Sequence, residues 1–131
     1  AGAADIDAAE ARQRVERGLR IVKALHDAGV PVVAGTDEGV PGHSVHREIE
    51  LYTEAGLTPL QALQAATIVP ARVMKLDREL GTIETGKRAD LAILEGNPLD
   101  DIHHVRHVRW TVSSGRMYDA AALWKSVRFT P

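Results

Sequence analysis

The chain has 131 residues, of which 44% are hydrophobic and 26% are charged, and its formal net charge at pH 7 is −2. This size and composition fit one packed domain, and the charge gives neither the basic field of a nucleic-acid-binding protein nor an acidic tail. The absence of cysteine excludes disulfides and thiolate metal sites. The apolar runs are too short to span a bilayer and residues 1–10 lack the pattern of a signal peptide, so we expect a cytoplasmic protein.

The first predicted element is an amphipathic helix over residues 7–28. Asp7 and Glu10 have the spacing of a capping pair, and Gly29 with Pro31 closely behind it ends the helix. One face carries apolar residues three or four positions apart, namely Val15, Leu19, Val22 and Leu25. The pattern therefore predicts a helix that leads directly into the next element.

That next element is a short strand over residues 31–36, followed by Asp37. An apolar run bounded by turn residues predicts a strand that is buried on both faces. A carboxylate at the carboxyl end of such a strand has the position of functional residues in α/β barrels. Asp37 is therefore the main candidate, although Thr-Asp-Glu-Gly also suits a turn in which Asp37 only caps. Glu38 is expected to face solvent.

A loop from Gly39 to Gly42 is predicted to lead into a helix over residues 44–55. Ser44 is the expected cap of this helix, and Gly56 is its expected end. His43 and His46 follow the predicted strand, so they could contact a substrate or support a metal site. The alternative, which we favour, is a capping or surface histidine.

A second and a third helical segment are predicted to follow. Thr58, Pro59 and Gln61 form a strong helix start, because they supply a cap, a proline at the first helical position and a capping-box glutamine. Pro70 is expected to interrupt this helix, with a further turn or two over residues 70–76.

The pattern changes from helix to strand near Leu80. Residues 81–95 predict a short strand, a turn at Gly86 and a second, apolar strand. A hairpin and a short helix over residues 120–125 should follow. The hairpin pattern comprises Val108, Trp110 and Val112 in alternation, the turn Ser113-Ser114-Gly115, and then Met117-Tyr118. Trp110 is expected in the core rather than in a ligand site.

A cluster of histidines, formed by His103, His104 and His107, lies between these strands in sequence. Imidazoles at this spacing could bind a stray metal ion, but they have no carboxylate partner at a fixed spacing. A solvated loop is the favoured interpretation.

Five segments carry a resemblance through their order and spacing: AGTD (34–37), HREIELYTEAGLTPLQALQAAT (46–67), PARVMKL (70–76), LGTIETGKRADLAILEGNPLDDI (80–102) and VSSGRMYD (112–119). Together they resemble the C-terminal end of the metal-dependent amidohydrolases, in the branch of imidazolonepropionase-like enzymes and Xaa-Pro dipeptidases.

This resemblance implies an α/β plus β fold, in which the C-terminal fragment of a (β/α)8 barrel is followed by strands of a small β-sandwich. Residues 1–80 would hold the last helix, the last strand and the closing helices of the barrel, and residues 81–131 the C-terminal portion of a composite sandwich. Gly86, Lys87 and Asp90 match the sandwich signature of the family. Their expected roles are structural, with a turn at the glycine and a backbone hydrogen bond to the aspartate.

The resemblance also implies a role for Asp37, which would bind a divalent metal, zinc, and take a proton from the metal-bound water. The parent enzyme would hydrolyse a C–N bond in a cyclic amide, an amide or a dipeptide, and His43 is a candidate contact for the substrate. The family's His-x-His pair and its other metal ligands have no counterpart in these 131 residues. Since one carboxylate cannot hold a divalent ion tightly, we expect the isolated chain to bind no metal tightly and to be inactive.

A lone parallel strand at residues 31–36 would need neighbours on both edges. We therefore expect self-association, either as a homo-oligomer or with a missing N-terminal part, and no nucleic-acid or membrane partner. Two rival interpretations stay open. The chain could be a non-catalytic, self-associating structural or interaction fragment, or, more distantly, a small metal-binding protein that uses the histidine cluster.

Overall fold

The computed structural model describes residues 7–37 and 43–128, so the predictions for Glu38 and for the loop at residues 39–42 lie outside the described residues. Five α-helices, three β-strands and one 3₁₀ helix are formed within these ranges. In chain order they are α1 (Ala8–Asp27), α2 (Ser44–Glu54), α3 (Pro59–Ala65), α4 (Ile68–Val73), β1 (Leu91–Leu94), the 3₁₀ helix (Ile102–Arg106), β2 (Val108–Ser113), β3 (Arg116–Asp119) and α5 (Ala120–Ser126).

The first helix begins and ends where the sequence predicts. Asp7 is its N-cap and accepts a hydrogen bond from the Ala9 amide at 3.4 Å, whereas Glu10 pairs with Arg14 instead of closing a capping box. No residue of α1 is buried, and Val15 and Leu25 of the apolar stripe are 49% and 44% exposed. Much of this hydrophobic face is therefore uncovered in the single chain.

Among the next helices, α3 begins with both a side-chain cap and a proline. At α3 the Thr58 hydroxyl accepts from the Gln61 amide at 3.2 Å, and the Gln61 side chain accepts from the Thr58 amide at 2.8 Å, which confirms the predicted capping box. At α2 the prediction is wrong by one residue, because His43 is the N-cap.

The interruption predicted at Pro70 lies instead at residues 66–67. Pro70 is the third residue of α4, which begins at Ile68. A proline fits there because the first amides of a helix have no partner within the helix.

Residues 31–37 differ from the predicted buried strand. Along residues 31–37, which we call the extended segment, exposed and half-buried positions alternate as they do in an extended chain, but no strand pairs with them among the described residues. Val32, Ala34 and Thr36 are half-buried while the alternate residues are exposed, so one side packs and the other faces out. Val32 and Ala34 pack against the main core. The prediction failed because a strand is defined by a hydrogen-bonded neighbour, which an apolar run cannot supply by itself.

The three strands form one antiparallel sheet in the order β1-β2-β3. Ser113 pairs with Arg116 around a two-residue turn in which Ser114 and Gly115 both have positive φ angles, 49° and 79°. Positive φ angles at both turn residues are typical of two-residue turns whose twist matches the twist of the two paired strands. The predicted hairpin is therefore confirmed. The strand expected before Gly86 is absent from residues 81–85, and Trp110 is half-buried rather than in the core.

One hydrophobic core joins the helical part to the strand part. Ile102 and Val105 of the 3₁₀ helix pack with residues of α2, α3 and the connection between them, namely Ile49, Tyr52, Leu57, Ala62 and Ala65. The core therefore includes residues on both sides of Leu80, where the sequence pattern changes from helix to strand. Within residues 7–37 and 43–128, every helix is too short or too polar to cross a membrane.

The two parts are also in close contact at Gly81, which follows the helical region. Its φ angle is +95°, and a Cβ atom there would lie 2.8 Å from the Ala71 Cβ and 3.0 Å from the Ile68 Cα. Both the backbone conformation and the space therefore require glycine.

The first prediction compares two glycine-to-alanine changes. Gly81→Ala should lower the free energy of unfolding by about 1–3 kcal/mol, because it adds backbone strain and a steric clash. Gly18→Ala is the matched control, since nothing lies within 4 Å of its added Cβ and the position is inside α1. It should raise stability by about 0.5–1 kcal/mol. Urea unfolding followed by circular dichroism measures both, and equal effects would contradict the close contact at residue 81.

Candidate functional site

Asp37 ends the extended segment with its side chain exposed. Its φ angle is +43°, in the left-handed region, which aspartate adopts more readily than most residues other than glycine. Asp37 makes no hydrogen bond or ion pair with another described residue. Asp37 thus ends the anchored segment as an exposed carboxylate. It does not cap α2, whose N-cap is His43, and the turn Thr-Asp-Glu-Gly of the alternative interpretation reaches residues 38–39, which lie outside the described residues.

Three consecutive residues before Asp37 are fixed by neighbouring helices. The Ala34 amide donates to the Ala65 carbonyl at 2.8 Å, and the Gly35 amide donates to Oε1 of Glu48 at 3.2 Å. The Val33 carbonyl oxygen lies 3.2 Å from the hydroxyl of Tyr52. These contacts involve backbone groups that a neighbouring strand would bind in a sheet.

Glu48 and Tyr52 form a pair on α2, one helical turn apart. The Tyr52 hydroxyl lies 2.5 Å from Oε1 of Glu48, and the second carboxylate oxygen, Oε2, is buried with no hydrogen-bond partner among the described residues. Burial raises the pKa of Tyr52 above its ordinary value, and the hydrogen bond to Glu48 and its negative charge raise it further. The hydroxyl therefore stays protonated and able to donate.

A second carboxylate of α2, Glu50, is 3% exposed and is paired with cations. Arg106 of the 3₁₀ helix binds it with two nitrogens, Nε to Oε1 and Nη2 to Oε2, the latter at 2.8 Å. Arg47 Nη1 lies 3.3 Å from Oε2. The hydrogen bond from Arg106 is the largest cause of a lowered pKa for Glu50, and that from Arg47 adds to it, against the opposing effect of burial. Glu50 is thus an ionised link between the two parts.

His43 lies beside this ion pair. Its Nε2 and Nδ1 atoms are 3.2 Å and 3.4 Å from Nη1 of Arg106. Because arginine has donors only, a hydrogen bond here requires an uncharged His43 ring that accepts. Burial lowers the pKa of His46, and the positive charge of Arg106 lowers it further. The structure brings His43 to Arg106, while residues 38–42, which connect it to Asp37, lie outside the described residues.

The remaining predicted groups have structural contacts. Asp90 Oδ1 accepts from the Ser114 amide at 2.7 Å, which confirms the predicted backbone hydrogen bond and is the largest cause of a lowered pKa for Asp90. Lys87 Nζ donates to the Asp77 carbonyl at 2.7 Å and pairs with Glu84 at 3.3 Å. These side chains hold the turn around Gly86 and the start of β1.

The histidines of the cluster make contacts with neighbouring residues. The loop that was expected there is a 3₁₀ helix, because Ile102 and Val105 are buried in the core. His103 Nδ1 lies 2.7 Å from Oδ1 of Asp101, and His104 Nδ1 lies 3.0 Å from the Asn97 carbonyl.

No group of three or more metal-binding side chains occurs in the described part of the chain. Asp37 has the right chemistry to be one ligand, but the described residues do not complete a site around it. Residues 7–37 and 43–128 therefore do not fit a metal ion by themselves.

Sequence reasoning missed Glu48, Tyr52, Glu50 and Arg106. The spacing of Glu48 and Tyr52, four residues apart on a predicted helix, is a signal for a side-chain pair. No comparable signal exists for Glu50 and Arg106, which are 56 residues apart.

Comparison with known proteins gives a consistent result. Residues 2–118 match the amidohydrolase family. The chain is 35% identical over 103 residues to imidazolonepropionase of Geobacillus sp. (strain WCH70), covering 72% of this chain and 24% of that protein. It is 34% identical over 97 residues to 5-methylthioadenosine/S-adenosylhomocysteine deaminase of Moorella thermoacetica, covering 66% and 23%.

A solved structure agrees with these relatives. The crystal structure of a Xaa-Pro dipeptidase with bound methionine in the active site superimposes with a TM-score of 0.71 at 32% identity. The similarity covers 78% of this chain and 25% of the dipeptidase chain. The chain spans about a quarter of the length of the curated relatives it matches.

The second prediction concerns the buried ion pair. Arg106→Met should cost roughly 3 kcal/mol in stability, because it leaves the buried Glu50 charge with Arg47 as its remaining ion-pair partner. Arg47→Met is the matched control. Arg47 is 46% exposed at its side chain, and its loss should cost under about 1 kcal/mol. Replacing both Glu50 and Arg106 by leucine should recover most of the loss. Urea unfolding of the unchanged chain and the three variants measures this, and equal small costs for both arginines would contradict a structural role for the pair.

Proposed function

This chain belongs to the amidohydrolase family, and we propose that it is the C-terminal segment of a metal-dependent hydrolase. The proposed reaction is hydrolysis of a C–N bond, other than an ordinary peptide bond, in a cyclic amide, an amide or a dipeptide. The family match over residues 2–118 carries this proposal. An exposed carboxylate at the end of an anchored, extended segment supports it.

We assign each part of the chain a place in the complete protein. Residues 1–80 would form the last helix, the last strand and the closing helices of a (β/α)8 barrel, with residues 31–37 as the strand. Residues 81–131 would be the C-terminal portion of a composite β-sandwich. The backbone groups of Val32 and Thr36 make no described hydrogen bond, which supports this assignment, because a barrel would supply a strand on each side.

Asp37 is the proposed catalytic residue and the proposed metal ligand of this chain. A divalent ion, zinc by family resemblance, would supply Lewis-acid chemistry when the other ligands are present. Asp37 would offer one carboxylate oxygen as a ligand and would accept a proton from the attacking water. An exposed carboxylate with no described partner is free for both tasks.

His43 is proposed as a substrate contact. His43 is exposed beside Arg106. An exposed imidazole there suits a polar contact with an amide substrate.

The third prediction tests Asp37 by substitution with asparagine, which tolerates the left-handed backbone and removes the charge. In the complete protein encoded by the gene, Asp37→Asn should lower kcat by about 10²–10⁴-fold, because the proton acceptor is lost. Liberated amine or ammonia from a panel of prolyl dipeptides, cyclic amides and N-acyl amino acids gives the rate. The 131-residue chain alone should show no turnover and no tight zinc binding by calorimetry.

The control is Asp77→Asn, which removes the charge of an aspartate outside the extended segment. The described contact of Asp77 is made by its backbone carbonyl, which accepts from Lys87, so the substitution leaves that contact in place. This variant should keep full activity in the complete protein. Undiminished turnover in Asp37→Asn, or turnover by the 131-residue chain, would refute the proposed function.

A second candidate function is favoured by one observation, the exposed apolar face of α1 beside an extended segment without strand partners. In this alternative the chain is non-catalytic and acts by self-association or by binding the remaining part of a longer protein. A patch of this kind on a surface is typical of an interface.

The fourth prediction follows from that surface. The purified chain should be larger than a monomer in size-exclusion chromatography with light scattering at micromolar concentration. Val15→Lys and Leu25→Lys together should shift it toward the monomer, because charge would be buried in the interface. Arg12→Glu and Arg17→Glu, on the polar faces of α1, are controls that should change nothing. A monomer at all concentrations would exclude self-association.

A further inference from the structure

We propose that Glu48 is a positioning residue for Asp37, holding the backbone from which the Asp37 carboxylate projects. The inference rests on the proposed function, because the placement of Asp37 matters through that function. Glu48 belongs to α2, eleven residues beyond Asp37 in sequence, and it makes no described contact with Asp37 itself. It would act through the Gly35 amide, two residues before Asp37.

The contacts around Glu48 all lead to the extended segment. Oε1 accepts from the Gly35 amide at 3.2 Å and lies 2.5 Å from the Tyr52 hydroxyl, which lies 3.2 Å from the Val33 carbonyl oxygen. The hydroxyl has one hydrogen, and the shorter distance and the charge of the carboxylate favour donation to Glu48. Glu48 therefore holds Gly35 directly, while Tyr52 holds Glu48.

The buried state of the carboxylate shows that this arrangement has a cost. Glu48 Oε2 has no hydrogen-bond partner among the described residues, and an unsatisfied buried oxygen is unfavourable. An apolar residue at this position would avoid that cost, but it would leave the Gly35 amide and the Tyr52 hydroxyl without their acceptor.

The position of Gly35 bears directly on Asp37. The chain leaves the extended conformation at Asp37, whose φ angle is +43°. With Ala34 bonded to Ala65 on one edge and Gly35 bonded to Glu48 on the other, the last extended residues cannot rotate freely. Loss of the Gly35 contact would free the two peptide units that set the direction of the Asp37 side chain.

The fifth prediction uses nuclear magnetic resonance of the ¹⁵N-labelled 131-residue chain, so it needs no metal and no substrate. Glu48→Gln should move the Gly35 amide proton upfield and speed its hydrogen exchange about tenfold, because a charged acceptor is lost. The Asp37 amide resonance should shift or broaden with it. Tyr52→Phe keeps the buried ring, and it should speed Gly35 exchange by a smaller factor, about threefold.

Glu54→Gln is the matched control, because it removes a charge from the same helix at a side chain that binds Arg47. It should leave Gly35 and Asp37 unchanged. A purely structural role for Glu48 would instead speed exchange throughout α2 and α3 alike, and that outcome overturns the proposal. Unchanged Gly35 resonances in both Glu48→Gln and Tyr52→Phe also overturn it, as does an unmoved Asp37 resonance.

The same substitution in the complete protein separates this inference from the proposed function. Glu48→Gln should lower kcat about tenfold with KM changed less than twofold, because a misplaced Asp37 weakens the chemical step more than binding. If Asp37→Asn keeps full activity, the proposed function fails whatever the Gly35 resonances show. If Gly35 does not respond to Glu48→Gln, the positioning role fails and the proposed function stands.

Discussion

An extended backbone inside a folded protein must bond its amide and carbonyl groups, and this requirement governs residues 31–37. In a parallel sheet the neighbouring strands meet it. Here the Ala65 carbonyl and the Glu48 carboxylate meet part of it, at the amides of Ala34 and Gly35. The segment that ends at Asp37 therefore keeps a defined path although no strand of the described part of the chain pairs with it, and α2 becomes the element on which the candidate site depends.

The same helix also joins the two parts of the chain. On one side it presents Glu48 and Tyr52 to the extended segment, and on another it presents Glu50 to Arg106. Ile49 of α2 packs in the core that includes Ile102 and Val105 of the 3₁₀ helix. A shift of the strand part relative to α2 would therefore also displace the helix that anchors the residues before Asp37.

Local chemistry explains which features could be predicted from the sequence. The start of α1 at Asp7, the capping box at Thr58 and the turn at Ser114-Gly115 depend on residues within a few positions of each other. The prediction of a strand at residues 31–36 was wrong because strand formation depends on a hydrogen-bonded neighbouring strand, which a local apolar run does not specify. For the candidate site, the position of Asp37 followed from the apolar run before it, whereas Glu48 and Arg106 depend on how distant elements pack.

The link between Glu50 and Arg106 has a consequence for the order of folding. The two residues are 56 positions apart, so bringing them together closes a long loop at an entropic cost, while the β1-β2-β3 meander and the helical turns form from near neighbours. We therefore expect the docking of the meander and its 3₁₀ helix onto α2 to follow the formation of these local elements. A nascent chain could complete that docking only after Arg106 had emerged from the ribosome.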